Sequence, residues 1–211
     1  MICMTNKAHV GSGTAPPLTS TTPQEPSRVA VVSASARAQR VNPAVTAWVV
    51  EAIEHLDGFE IDLIDLAHAA LPDDSLLNPG GEPKTELADR IGAATAFVFV
   101  TPEYNASYPA TLKRLIDWHY AEWQLKPVLL VGYGLHGGHA AIEHLRGVMA
   151  ELNAITTRRV IGLPTPWQQF DEEGRFTPDA DVTKALHTAL GELHWWTEAL
   201  TSARTSRPFP G

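Results

Sequence analysis

From Arg28 onward, short unbroken apolar runs alternate with longer stretches in which apolar residues recur every three or four positions. The first rhythm suits strands buried on both faces, and the second suits the inward stripe of a helix. RVAVVS at 28–33 predicts a first buried strand. After a polar turn, Val45, Trp48, Val49, Ala52, Ile53 and Leu56 share one helical face, and Asp57-Gly58 ends that helix. FEIDLIDL at 59–66 alternates apolar and acidic residues, which predicts a strand with one less-buried face at a sheet edge. A loop with Pro72, Pro79, Gly80, Gly81 and Pro83 leads into a helix over 84–94 and then AFVFV at 96–100, a central strand. Pro109 opens a helix running to about Tyr120, and KPVLLVGYG at 126–134 predicts the fourth strand. A helix over Gly138 to Leu152, a short strand over Thr156 to Ile161 and a long helix over Asp179 to Thr201 complete the pattern.

Strand and helix thus alternate five times, which predicts an α/β fold with a parallel sheet covered by helices on both faces. In such sheets ligands bind at the carboxyl ends of the strands. At 211 residues and 44% apolar content the chain fits one domain with a genuine core, placed at 28–204. Residues 1–27, rich in Thr, Ser, Pro and Gly, read as a disordered extension, and 205–211 as an irregular tail. The extension has no apolar core of a signal peptide, and no later segment approaches the roughly 20 apolar residues of a membrane span. A formal net charge of -8 argues against a nucleic-acid surface. The single cysteine, Cys3, excludes an internal disulfide, and a cytoplasmic location is expected.

Three strand ends carry unusual chemistry. After the first strand, Ser33 to Asn42 packs two hydroxyls, Arg37 and Arg40 before a helix start, where free amides and guanidinium groups suit a phosphate monoester. The alternative is that Ser35 and Asn42 cap the helix and the arginines are solvated. There is no G-x-x-x-x-G-K-[ST], so this is not a nucleoside-triphosphate loop. After the third strand, Thr101 to Pro109 forms a proline-bracketed turn that either presents amides and a tyrosine to a flat heteroaromatic ring or is an ordinary turn. After the fourth, Gly132 to His139 supplies glycines for turns or for close approach to a ligand. His136 and His139 lack a third ligand and are not read as a metal site.

Taken together, these segments resemble the NADPH-dependent FMN reductase family. The stretch at 33–40 is similar to the family's G-S-x-R-x-x-R phosphate loop, with Ala34 where the family has Gly. Pro102-Glu103-Tyr104-Asn105 matches its P-E-Y-N motif without substitution, LKRLIDW at 112–118 resembles the following helix, and 132–138 resembles the glycine-rich third loop. The resemblance implies a flavodoxin-like three-layer sandwich with a five-stranded parallel sheet of order 2-1-3-4-5. It implies FMN as cofactor, NADPH or NADH as electron donor, and a small acceptor such as free flavin or a quinone. By the same resemblance, the cofactor is held by Ser35, Arg37, Arg40 and Asn42, by Pro102, Glu103, Tyr104 and Asn105, and by Tyr133, Gly134, Gly137 and Gly138. No catalytic side chain is expected, because the flavin performs the hydride chemistry. The family also implies a homodimer or tetramer. Trp118, Trp123, Trp195 and Trp196 could supply an apolar dimer surface, although core packing is the simpler account for at least half of them. Two other readings share the fold: a flavodoxin-type electron carrier without enzymatic activity, and a flavin-binding sensor or scaffold. The pair of arginines weighs against the carrier.

Overall fold

The computed structural model describes residues 27–78 and 84–210. The extension up to residue 26 and the stretch 79–83 of the proline- and glycine-rich loop lie outside the described residues. Strands β1 (Ser27–Ser33), β2 (Phe59–Asp65), β3 (Ala96–Pro102), β4 (Pro127–Gly134), β5 (Ile155–Thr156) and β6 (Ile161–Pro164) form one parallel sheet. Its order is β2-β1-β3-β4-β5, with β6 also paired to β4. Helices α1 (Asn42–Glu54), α2 (Ala88–Ala93), α3 (Ala110–Asp117), α4 (His139–Glu151) and α5 (Ala180–Ser206) cover it.

Each inner strand carries an unbroken apolar run through its middle because alternate residues feed opposite faces, both of them buried. Phe97, Phe99, Val128 and Leu130 join Leu112, Leu115, Ile116, Trp123, Ile142 and Met149 in a core beneath α2, α3 and α4. Val98, Val100, Leu129 and Val131 join Val45, Val49, Ile53, Leu186, Leu190 and Leu193 in a second core beneath α1 and α5. β2 is the partly exposed edge that its acidic alternation predicts, and its carboxylates are used: Asp62 pairs with Arg90 and Asp65 with Arg40.

The helix expected to reach about Tyr120 ends at Asp117, and the elements depart further from the sequence pattern in three places. The strand expected over 156–161 is split: β5 pairs with Pro127 and Val128, and β6 with Val131 to Gly134, while Thr157 to Val160 bulges between them. Arg146 braces that excursion by donating to Thr156 Oγ1 and to the carbonyls of Thr157 and Arg158. The helix expected from Lys84 starts only at Ala88, because Thr85 Oγ1 accepts the Leu87 N–H and holds a turn there instead. The last helix runs on to Ser206, anchored where Arg204 donates to the Leu125 carbonyl at 2.6 Å.

Candidate active site

The carboxyl ends of β1, β3, β4 and β6 open into a cleft of about 610 Å³ lined by Arg37, Gln39, Arg40, Val41, Pro102, Glu103, Tyr104, Tyr133, Gly134, Leu135 and Trp167. This volume lies in the range of small-molecule sites, and the position is the one that the topology rule for α/β sheets specifies.

One wall is the turn between β1 and α1. Asn42 is fully buried and fixes it: its Oδ1 accepts from the Ser35 N–H at 2.7 Å and from Ser33 Oγ at 3.1 Å, and its Nδ2 donates to the Val100 carbonyl at 3.2 Å. Asn42 therefore acts within the turn and does not cap the helix, whose N-cap position, Val41, has no side-chain cap. The N–H groups of Ala36, Arg37, Ala38 and Gln39 donate to no protein acceptor among the described residues. Four free amides beside an uncapped helix start form a ready site for an anion. Ala34 lies fully buried at the foot of this wall and donates its N–H to the Val100 carbonyl.

The two arginines have different positions. Arg40 makes a bidentate pair with Asp65 at 2.8 and 2.9 Å and also donates to the Ser35 carbonyl, so its charge is already balanced and it stiffens the wall. Arg37 is exposed and lies over the Tyr104 ring, 3.6 Å from the centroid. It has no carboxylate partner among the described residues and remains available to an anionic ligand.

The second wall is the turn after β3. Tyr104 and Ser107 exchange backbone hydrogen bonds at 2.8 and 3.1 Å, and the two central residues, Asn105 and Ala106, both have positive φ. That is the geometry of a type I′ turn, with asparagine at the first left-handed position, which it tolerates well. Tyr104 OH lies 2.8 Å from the buried Ser35 Oγ and joins this wall to the first. Asn105 is exposed outside the cleft lining.

The third wall is the turn after β4. Glu103 N–H donates to the Tyr133 carbonyl at 2.8 Å, and Glu103 Oε2 accepts from the Ala140 N–H at 3.0 Å, placing a carboxylate on the N-terminus of α4. His144 Nδ1 lies 3.0 Å from Ser107 Oγ and adds a second tie between these turns. Gly138 has φ +75, and a β-carbon there would lie 2.4 Å from the Tyr133 nitrogen, so only glycine lets the chain fold back against β4. Gly137 also has positive φ, and it and Gly138 shape the turn from behind the cleft lining. Burial pushes the Tyr133 phenol well above its ordinary pKa, with Tyr104 adding to the effect, so it remains a neutral donor.

Sequence reasoning did not single out Gln39, Val41 and Leu135 of the cleft lining, and it missed Asp65 and Trp167. Asp65 was legible only as an acid ending the edge strand, and Trp167 only as a tryptophan in a Pro-rich turn. Trp167 stands on the β6–α5 connection, which is held by Thr165 N–H donating to the Gly134 carbonyl at 2.8 Å.

A row of free amides, a pair of tyrosines and a glycine turn along the carboxyl edge of a 2-1-3-4-5 sheet define a flavodoxin-like protein. The residues fit FMN: free amides and Arg37 for the phosphate, and an aromatic and backbone-lined cleft for the ring. The chain belongs to the NADPH-dependent FMN reductase family, whose model matches residues 27–168. It is 37% identical over 139 residues to the NAD(P)H-dependent FMN reductase LOT6 of Saccharomyces cerevisiae, covering 58% of this chain and 73% of that protein. It is 32% identical over 180 residues to the NAD(P)H-dependent FMN reductase C4B3.06c of Schizosaccharomyces pombe, covering 79% of this chain and 88% of that protein. In fold it is similar to the flavoenzyme FerB, an NAD(P)H:(acceptor) oxidoreductase of Paracoccus denitrificans, with a TM-score of 0.65 at 22% identity over 82% of this chain and 98% of FerB.

Proposed function

We propose that this chain is an NAD(P)H-dependent FMN oxidoreductase that binds FMN in the cleft at the ends of β1, β3 and β4 and reduces a flat organic acceptor, a quinone or free flavin. The observation that carries the reading is the row of four free amides, with Arg37 beside them, at the uncapped start of α1. Bound there, FMN would supply the hydride-transfer chemistry between nicotinamide and acceptor.

The protein's contribution is placement. The amides of residues 36–39 and Arg37 hold the phosphate, while Arg40 is balanced by Asp65 and keeps the turn in shape. Tyr104 and Tyr133 form a hydrogen-bonding wall beside the ring, with the backbone of Pro102, Glu103 and Gly134, and the buried Ser35 hydroxyl holds Tyr104 OH from behind. Asn42 and Glu103 hold the walls through their side chains, and Asn105, Gly137 and Gly138 set the backbone path of two turns. Residues 28–204 form the catalytic domain. No helix among the described residues is long and apolar enough to cross a membrane, which agrees with a cytoplasmic enzyme, and we read the working form as a homodimer.

The visible spectrum of the purified protein, taken after FMN addition and removal of excess, tests this. Retained flavin absorbance that bleaches under anaerobic NADPH is expected. No retained flavin, or flavin that stays oxidised with both NADPH and NADH, would overturn it, the second outcome pointing to a carrier.

A further inference from the structure

Two of the large apolar side chains left in solvent, Trp167 and Leu135, stand together at the mouth of the cleft, 49% and 63% exposed. A tryptophan exposes this much surface at a cost unless a partner covers it. Among the described residues Trp167 has no ring partner, and its indole N–H donates to none of their groups. Its mounting is nevertheless fixed. Pro166 is buried, Thr165 holds a left-handed backbone at φ 45, and Gln168 N–H and Gln169 N–H close the short turn onto Thr165 and Pro166. Gln169 Nε2 donates to the Pro164 carbonyl at 2.9 Å, and Thr165 is tied to Gly134 in the facing turn. An apolar ring carried on a braced turn, lining the same cleft as Tyr104 and Tyr133, offers a face to a second planar ring at little further cost in backbone ordering.

Resting on the FMN reading of the cleft, we infer that Trp167, backed by Leu135, is the specificity-determining wall for the electron acceptor and selects flat, uncharged aromatic acceptors of the quinone class over charged, non-planar ones. The quinone lies against the indole face and becomes hydroquinone by gaining one hydride equivalent, derived from NAD(P)H, and one proton from water. Trp167 supplies contact area and orientation and transfers no proton.

The test compares the FMN-loaded wild type with Trp167→Ala and Trp167→Phe, using menadione as the planar acceptor and ferricyanide as the charged, non-planar one. Trp167→Ala is expected to raise KM for menadione roughly tenfold, a far larger change than in the ferricyanide KM measured on the same flavin-loaded preparation, and Trp167→Phe to recover most of the loss. Menadione titration should also quench a component of tryptophan fluorescence that is missing in Trp167→Phe, a readout independent of turnover. An unchanged menadione KM in Trp167→Ala would overturn the inference. So would a parallel fall with both acceptors together with flavin loss, because Trp167 would then be holding the cofactor. A failure of the FMN reading itself would show earlier, in wild type, as absent flavin or absent NAD(P)H oxidation.

Discussion

Gly138 is where the backbone path of the site depends most on a single hydrogen atom. Replacing it with alanine would strain a left-handed residue and press a methyl group into the Tyr133 and Gly132 backbone. A loss of about 2 to 4 kcal/mol is expected for Gly138→Ala, read as a lower urea midpoint, with weaker flavin retention in the same preparation. An unchanged midpoint would show that the turn can move aside. At this scale the motif residues were legible in the sequence, but not their division of labour. Arg40 and Arg37 look alike as letters. The parallel pairing of β1 with β2 sets Ser33 opposite Asp65, and so brings an acid 25 positions away onto Arg40 while leaving Arg37 open. Likewise Asn42 reads as a helix cap, and only the packing of β3 against β1 gives its amide the Val100 carbonyl to bind.

Among the elements, the link between the approach to α2 and the end of α3 runs through one buried histidine. His119 Nδ1–H donates to the Leu115 carbonyl at 2.7 Å, which leaves Nε2 to accept from the Thr85 hydroxyl at 2.6 Å. Burial holds His119 below its ordinary pKa, so the folded state resists the proton that the unfolded state takes up near pH 6.5. The group costs nothing while both states are neutral. Stability is therefore expected to fall as pH drops from about 6.5 toward 5, by up to about 1.4 kcal/mol per pH unit from this residue. Urea titrations from pH 8 to 5 should show a shallower decline in His119→Gln than in wild type, and equal slopes would refute the assignment. This contact also shows why the start of α2 was misread. The apolar spacing carried the helix back to Lys84, but the Thr85 hydroxyl bonds to Leu87 and to His119, and local side-chain bonding outcompetes helical continuation.

For the whole molecule, the alternating pattern sufficed to give the layers, because strands built on unbroken apolar runs have few places other than the middle of a covered parallel sheet, whereas the strand order came from the family resemblance. The same arrangement explains the division of the tryptophans. Trp123 is fully buried against Phe97, with ring centroids 4.8 Å apart, and donates to the Ile116 carbonyl, whereas Trp195 is 59% exposed on α5. Trp123→Ala is expected to cost about 3 to 5 kcal/mol, a large part of a typical domain's stability. Trp195→Ala in the monomeric fold should change it by no more than about 0.5 kcal/mol. Equilibrium denaturation of the two variants side by side checks both, and comparable losses would mean that Trp195 is covered in solution by something outside one chain.

The split of the last strand sets a rule of arithmetic for this fold. Val128 and Val131 are three residues apart on β4, while their partners Thr156 and Ile161 are five apart, so the excursion braced by Arg146 inserts two residues. Two is an even number, and strand side chains change face with every single step. Ile161 and Leu163 therefore reach the same core that an uninterrupted strand would have served. Length variation at this point is permitted in pairs. A loss of one residue that shifted β6 by a step would swing Ile161 and Leu163 to the opposite face of the sheet and twist the mounting of Trp167 with them, whereas a loss of two would shorten the chain and keep each side chain on its own side.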